Sequence, residues 1–231
     1  MTEQLALHLQ WRDSATFENF YASGNETALA AMYAALEGRG DPYVYVWAPQ
    51  SGAGRSHLLQ AACHAASLKD IPASYLSLRD YAEWHPSMLE GFEQFGLVCL
   101  DDVDAVAGQA EWEEACFHLY NRLHMQQTPL FVAANGPPRS LNWRLPDAVS
   151  RFMAFVVFQL HPLDDAGKCQ ALMQRAHRLG LTLSEDAARF LLHRCPRNPH
   201  ALFACLEQLD TASWQAGRGL TIPFIKSVLG I

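Results

Sequence analysis

The apolar residues of the chain fall into two regimes. Up to about residue 160, short apolar runs bounded by turn formers alternate with stretches of helical spacing. After Pro162 only helical spacing remains. In the first regime the alanine-rich stretch Ala28 to Leu36 predicts a helix that stops at Gly38 and Gly40. Asp41-Pro42 then opens a β-branched and aromatic run, Tyr43 to Trp47, which predicts a strand. Leu58, Leu59, Ala62 and Cys63 are spaced for a helix over Ser56 to Ser67. A second strand is expected at Ala73 to Ser77, followed by a helix beginning near Arg79. Gly96 to Leu100 is nearly all apolar, as a strand covered on both faces should be. A helix over Glu111 to Gln126, a strand over Pro129 to Ala134 and a fifth strand over Phe155 to Leu160 complete the alternation.

Strands alternating with helices predict a parallel sheet with right-handed crossovers. In the second regime Asp164 to Leu179 reads as a helix ending at Gly180. Ser184-Glu185-Asp186 caps another reaching Cys195, and Pro199 to Gln215 gives a third that ends at Gly217. Thr221 starts a short last one. The expected fold class is therefore α/β, a parallel sheet flanked by helices over residues 13–160, followed by an all-helical lid over 161–231. Residues 1–12 form a tail ahead of both.

Composition narrows the classes. Half of the 231 residues are apolar and 18% are charged, enough for a packed core. A formal charge of −7 excludes a chain-wide basic footprint for nucleic acid, though not a local patch. Lys69, Lys168 and Lys226 are the only lysines; every other basic residue is arginine. The N-terminus has no cationic leader, which argues against a secretory signal. The dense apolar run Phe152 to Phe158 falls far short of the roughly 20 residues a membrane span needs. Six cysteines stand singly, several of them in apolar segments, which suits a reducing, cytoplasmic compartment. The ten histidines show no paired metal-ligand spacing.

The most informative segment joins the first strand to the next helix. A Gly-rich turn between a strand and a helix aims backbone N–H groups and the helix N-terminus at one point, which suits phosphate oxygens. Here the turn carries Gly52 and Gly54, and Ser56 stands where a hydroxyl would join a Mg²⁺ shell. Against the pattern G-x-x-x-x-G-K-[ST], Pro49 replaces the first Gly and Arg55 the Lys. Arg is a planar fork rather than a compact ammonium, so Arg55 can bind phosphate yet fits a triphosphate transition state poorly. The plain alternative is a turn with no ligand. A second signal is the apolar strand ending in Asp101-Asp102, the arrangement that holds Mg²⁺ and orients water in P-loop NTPases.

Thr16-Phe17-Glu18-Asn19-Phe20, Gly52-Ala53-Gly54-Arg55-Ser56-His57-Leu58-Leu59, Asp101-Asp102-Val103, Phe117-His118-Leu119-Tyr120-Asn121 and Ser150-Arg151-Phe152 together resemble the AAA+ domain of the DnaA family. The resemblance runs from about Thr16 to Leu209. Within that family the chain is most similar to the Hda-like regulatory inactivators of DnaA. Three features carry that choice: no DNA-reading helix-turn-helix module follows the lid, Arg55 stands in the Lys position, and Gln4-Leu5-Ala6-Leu7-His8-Leu9 lies near the start.

The resemblance implies roles. Ser51, Gly52, Ala53, Gly54, Arg55, Ser56 and His57 would hold the phosphates of ADP or another nucleoside diphosphate. Phe17 and Phe20 would lie near the base, with ordinary core aromatics as the alternative. Ser56 and Asp101 would bind Mg²⁺ if a triphosphate were present, and Asp102 would orient water. Asn135 matches sensor 1. Arg151 matches the arginine finger that reaches a neighbouring subunit's nucleotide, with a local salt bridge as its alternative. Sensor 2 falls on His200 or Arg197, and the sequence does not choose. Gln4, Leu5, Leu7 and Leu9 would dock in a pocket of the DNA polymerase sliding clamp; extended, they point three leucines to one face.

The implied function is a replication regulator that, with the DNA-loaded clamp, stimulates hydrolysis of DnaA-bound ATP. It would contact no membrane and read no DNA sequence directly, and self-association stays open. The rival readings are an autonomous AAA+ ATPase, such as a helicase or clamp loader, and a P-loop small-molecule kinase.

Overall fold

In the computed structural model, which describes residues 15–231, five parallel strands form one sheet. They are β1 (Tyr43–Trp47), β2 (Ala73–Ser77), β3 (Leu97–Asp101), β4 (Leu130–Ala134) and β5 (Val156–Gln159), in the order β2-β3-β4-β1-β5. β3 and β4 are buried along their whole length, which explains their unbroken apolar character. β2, at one edge, alternates buried and half-buried positions, and β5 closes the other edge with mostly exposed side chains.

Alternation along the strands divides the core in two. Val44, Val46, Leu97, Cys99, Phe131 and Ala133 face α1 (Glu26–Leu36) and α2 (Arg55–Ser67). Tyr43, Tyr45, Val98, Leu100, Leu130 and Val132 face the opposite way. There they meet α3 (Ala110–Gln126) and the apolar side of α4 (Pro146–Met153). The result is a three-layer sandwich. Cys63, Cys99 and Cys116 are buried in it as free thiols, and burial, with Glu113 beside it, pushes Cys116 up to about 12.

Two departures from the sequence expectation stand out. No helix begins near Arg79; three short 3₁₀ turns, Tyr81–Glu83, Pro86–Leu89 and Phe92–Gln94, occupy that stretch. Pro86 lacks an N–H and bars the preceding residue from helix, and Gly91 turns left-handed at φ 85°. Leu89 and Phe92 still reach the core. The second departure is α4, which the sequence reading left unassigned. Pro146 pre-sets its first turn, and Ala148 and Phe152, four residues apart, are its buried face.

The chain divides between His161 and Pro162 into two compact units. The second holds α5 (Asp165–Arg178), α6 (Glu185–Arg194), α7 (Pro199–Ala216) and α8 (Ile222–Leu229) around its own core of Leu172, Leu191, Leu206, Leu209 and Ile225. Each helix is capped by the side chain preceding it: Asp164 accepts from the Gly167 amide, Ser184 from Ala187, Asn198 from Ala201 and Thr221 from Phe224. No helix among the described residues is long and apolar enough to cross a membrane.

In the first unit, buried Asn25 precedes α1 and ties it to the chain just past β5. Its Nδ2 donates to the His161 carbonyl at 3.0 Å, and its Oδ1 accepts the His161 amide at 2.8 Å. Replacing Asn25 by Ala strands both backbone groups of His161. Asn25→Ala should lower stability by about 1–3 kcal/mol, read as a lower urea midpoint with an unchanged slope.

Candidate functional site

The carboxyl ends of β1, β3 and β4 gather the site. After Trp47 the chain turns through residues 48–54 before α2 begins at Arg55. Gly52 and Gly54 both lie at positive φ, 84° and 95°, which any side chain would strain. Gly54 is required a second time over: a Cβ there would come within 2.5 Å of Cε2 of Phe20. Phe20 therefore rests on the loop, and its ring lies 5.7 Å from that of His57. His57 Nε2 in turn lies 2.9 Å from the Thr16 carbonyl, tying the segment before α1 to the loop helix. Phe17 is different: it is 3% exposed, packed 4.4 Å from the Tyr33 ring inside the core. Of the two aromatics, only Phe20 lies at the loop surface.

Arg55, at the first position of α2, points its guanidinium inward. Its side chain is 13% exposed and Nη2 stands 4.0 Å from Oδ1 of Asp102. Nη1 is buried with no hydrogen-bond partner. Leaving such a donor unmade costs about 1–3 kcal/mol, so the position fits an anionic ligand beside the glycine turn. The donor set, a 13-residue helix N-terminus, two left-handed glycines and an orphaned guanidinium nitrogen, matches the chemistry of phosphate.

Asp101 and Asp102 end β3, both buried. Tyr75 donates to Asp101 Oδ2 at 2.8 Å, the Asp102 amide donates to Oδ1 at 2.9 Å, and the Ser56 hydroxyl also bonds this carboxylate. Burial first, and the neighbouring Asp102 second, push the Asp101 carboxyl above its ordinary value, while these three donors pull the other way. Ser56 and Asp101 are thus already in contact, as a shared Mg²⁺ would require.

Asp102 adopts the left-handed conformation at φ 54° and faces different partners. Ser77 donates to Oδ2 at 3.1 Å, and Arg79 Nη2 lies 3.3 Å from the carboxylate. Arg55 approaches the same carboxylate, so Asp102 is engaged by one hydroxyl and two guanidinium groups.

Asn135 follows β4, exposed, and its backbone N–H donates to Asp104 Oδ1 at 2.8 Å. Tyr45 fixes the next residue by donating to the Gly136 carbonyl at 2.9 Å. Arg151 lies elsewhere. It is exposed on α4, its guanidinium 5.8 Å from the ring centre of Phe117 and 5.6 Å from that of Tyr120, on the opposite face of the sheet from α2. In the second unit, Arg197 pairs with Asp165 at 3.6 Å and His200 is exposed in the first turn of α7. Gln4, Leu5, Leu7 and Leu9 lie outside the described residues. The structure adds Tyr75, Ser77, Arg79 and Asp104 to the site; the one sequence signal for them is that Tyr75 and Ser77 share a face of β2.

The bacterial DnaA ATPase domain family matches residues 11–158, and the Hda lid domain family matches residues 165–229. Among solved structures the chain is similar to domain III of the Thermotoga maritima replication initiation protein DnaA. Identity is 23% and the TM-score 0.71, over 94% of this chain and 95% of that one. AMPPCP-bound DnaA from Aquifex aeolicus matches at 23% identity and TM-score 0.72, over 90% and 68%. The Thermotoga maritima RuvB Holliday junction branch migration motor follows at 12% and 0.65, over 93% and 73%. At these identities the structural likeness is one of fold.

Asp101 is a buried charge beside a second carboxylate, so neutralising it should stabilise the nucleotide-free protein. Asp101→Asn is expected to raise its thermal midpoint by about 2–4 °C, the equivalent of about 1 kcal/mol for a chain of this size. Calorimetry without nucleotide or divalent cation measures it, and a lowered midpoint would mean that the three donors outweigh desolvation.

Proposed function

The chain belongs to the bacterial DnaA ATPase family of AAA+ proteins, and from that membership we propose that it is a diphosphate-holding regulator of replication initiation. It works by stimulating hydrolysis of ATP bound to DnaA. The observation that carries this reading is the placement of two arginines. Arg55 is buried in the phosphate loop against Asp102, whereas Arg151 is exposed on the other face of the sheet, over Phe117 and Tyr120.

At its own loop, the amides of residues 52–56 and the Arg55 guanidinium bind the phosphates, and Phe20 borders the base side. Bound ADP supplies two phosphate anions and no reactive γ-phosphoryl group. Ser56 and Asp101 would hold Mg²⁺ if a triphosphate replaced it. Asp102, engaged by Ser77 and Arg79, is badly placed to activate water, which supports low turnover by the chain alone. Arg197 and His200 are the lid's candidates for a phosphate contact, and Asn135 is the sensor 1 candidate.

Towards a partner, Arg151 acts in trans. In the partner's site a water oxygen bonds to the γ-phosphorus as the bond to the β–γ bridging oxygen breaks, and ADP leaves. An arginine there offsets the charge on the transferring group, an effect worth about 10³–10⁵ in rate where such fingers operate. Tethering through Gln4, Leu5, Leu7 and Leu9 to the sliding clamp would raise the local concentration of Arg151 near DnaA on DNA.

Arg151→Ala, assayed for ATP hydrolysis by DnaA with DNA-loaded clamp, should return the rate to DnaA's own basal level while ADP binding by the variant is unchanged. Full stimulation by the variant would refute the finger. Robust ATP turnover by the isolated wild-type chain would favour an autonomous ATPase, and saturable phosphorylation of a metabolite a kinase. Separately, Arg55→Ala should weaken ADP binding by about tenfold or more, the worth of a charge-assisted hydrogen bond, measured by titration calorimetry.

A further inference from the structure

Glu113 lies in the first turn of α3 and is completely buried, although Glu111 and Glu114 on either side of it are exposed. It makes no ion pair among the described residues. Its carboxylate instead accepts only backbone amides: Gly108 at 2.5 Å on Oε1, Arg144 at 3.1 Å on Oε1 and 2.9 Å on Oε2, and Leu145 at 2.7 Å on Oε2. Arg144 and Leu145 immediately precede Pro146, the first residue of α4, and Leu145 is that helix's N-cap. A buried carboxylate is tolerated when its lone pairs are filled. Here three of the four bonds come from the two residues that lead into α4, and the fourth from Gly108 just before α3.

The side chains around this contact extend it towards Arg151. Trp143, one residue before the clamped pair, packs 5.1 Å from the ring of Phe152, and Phe152 is buried against Tyr45 and Phe155. Arg151 is the neighbour of Phe152, six residues beyond Leu145 on a helix only eight residues long. An error in the direction of the first turn would pass along so short a helix undiminished. α3 itself supplies both the anchor, Glu113, and the rings over which Arg151 rests, Phe117 and Tyr120, at the fourth and seventh positions after it.

We propose that Glu113 is a positioning residue for Arg151: by gripping the amides of Arg144 and Leu145 it fixes the start of α4 on α3, and so sets where the guanidinium is presented. This rests on the trans role of Arg151 given above. Glu113 touches no nucleotide and no partner; it acts through backbone.

Two measurements on the full chain test it. By amide exchange in the wild type, Arg144 and Leu145 should be protected as strongly as the interior of α3, despite lying in a loop. Exchange at the rate of free coil would overturn the proposal without any variant. Glu113→Gln keeps the shape but turns an N–H₂ group towards the clamped amides. It should speed their exchange at least tenfold and lower the maximal stimulated rate of DnaA ATP hydrolysis at least fivefold. The concentration giving half-maximal stimulation and the affinity for ADP should be unchanged. A general loss of structure would move all four quantities, and in that event the wild-type exchange decides. Glu113→Gln with a full maximal rate, beside an inactive Arg151→Ala, would overturn the positioning role alone. An Arg151→Ala variant that still stimulates fully would instead overturn the finger itself.

Discussion

Two adjacent carboxylates at the end of a fully buried strand are the constraint around which the first unit is arranged. Asp101 and Asp102 cannot both be left unpartnered where the effective dielectric is far below that of water. The sequence answers them with different sets of groups from different elements. Asp101 takes neutral donors: a phenol from β2, a hydroxyl from the start of α2 and the next backbone amide. Asp102 takes a hydroxyl and the two guanidinium groups of Arg79 and Arg55. This division needs β2 paired with β3 in the register that sets Ser77 opposite Asp101, and α2 starting at Arg55. A one-residue slip of β2 would turn Tyr75 and Ser77 to the wrong face. Fold and site are thus fixed by the same contacts.

That coupling explains what could be read from the sequence. The strands and most helices were legible because period, flanking turn residues and caps are local properties. The stretch after Arg79 misled because its apolar residues serve a core contact through 3₁₀ turns, and Pro86 and Gly91 forbid the longer helix. α4 escaped because eight residues offer only one buried pair at helical spacing. At the site, the glycine turn and the Asp pair were visible as motifs. Tyr75, Ser77, Arg79 and Asp104 were not, since their roles follow from strand register and from loops meeting at the sheet's carboxyl edge. Glu113 is the sharpest case: in the sequence it is one of two acidic residues in the first turn of an amphipathic helix. Only the approach of a loop 31 residues away, completed by the amide of Arg144, distinguishes it.

The shortage of lysine can be given a physical reason at the two positions that matter most. At position 55 a lysine would bring a compact ammonium with three freely rotating donors. Arginine brings a rigid fork, which here approaches Asp102 with one nitrogen while another remains buried and unpaired. Such a side chain is oriented before a ligand arrives, and an anionic ligand can complete it. At position 151 the planar guanidinium can lie over Phe117 and Tyr120, an exposed cation–π contact worth about 0.5–1 kcal/mol. Removing one preorganised donor from a developing oxyanion has been worth about 2.7–4 kcal/mol in enzymes. In the proposed trans role, the resting contact on the rings would bias the rotamers of Arg151 only modestly and would be weak enough to be given up for a partner's phosphoryl group. A buried salt bridge at the same place would have held the guanidinium too tightly, because leaving it would expose an unpaired buried charge. An aromatic seat on a clamped helix is a store from which an arginine can be lent out and recovered.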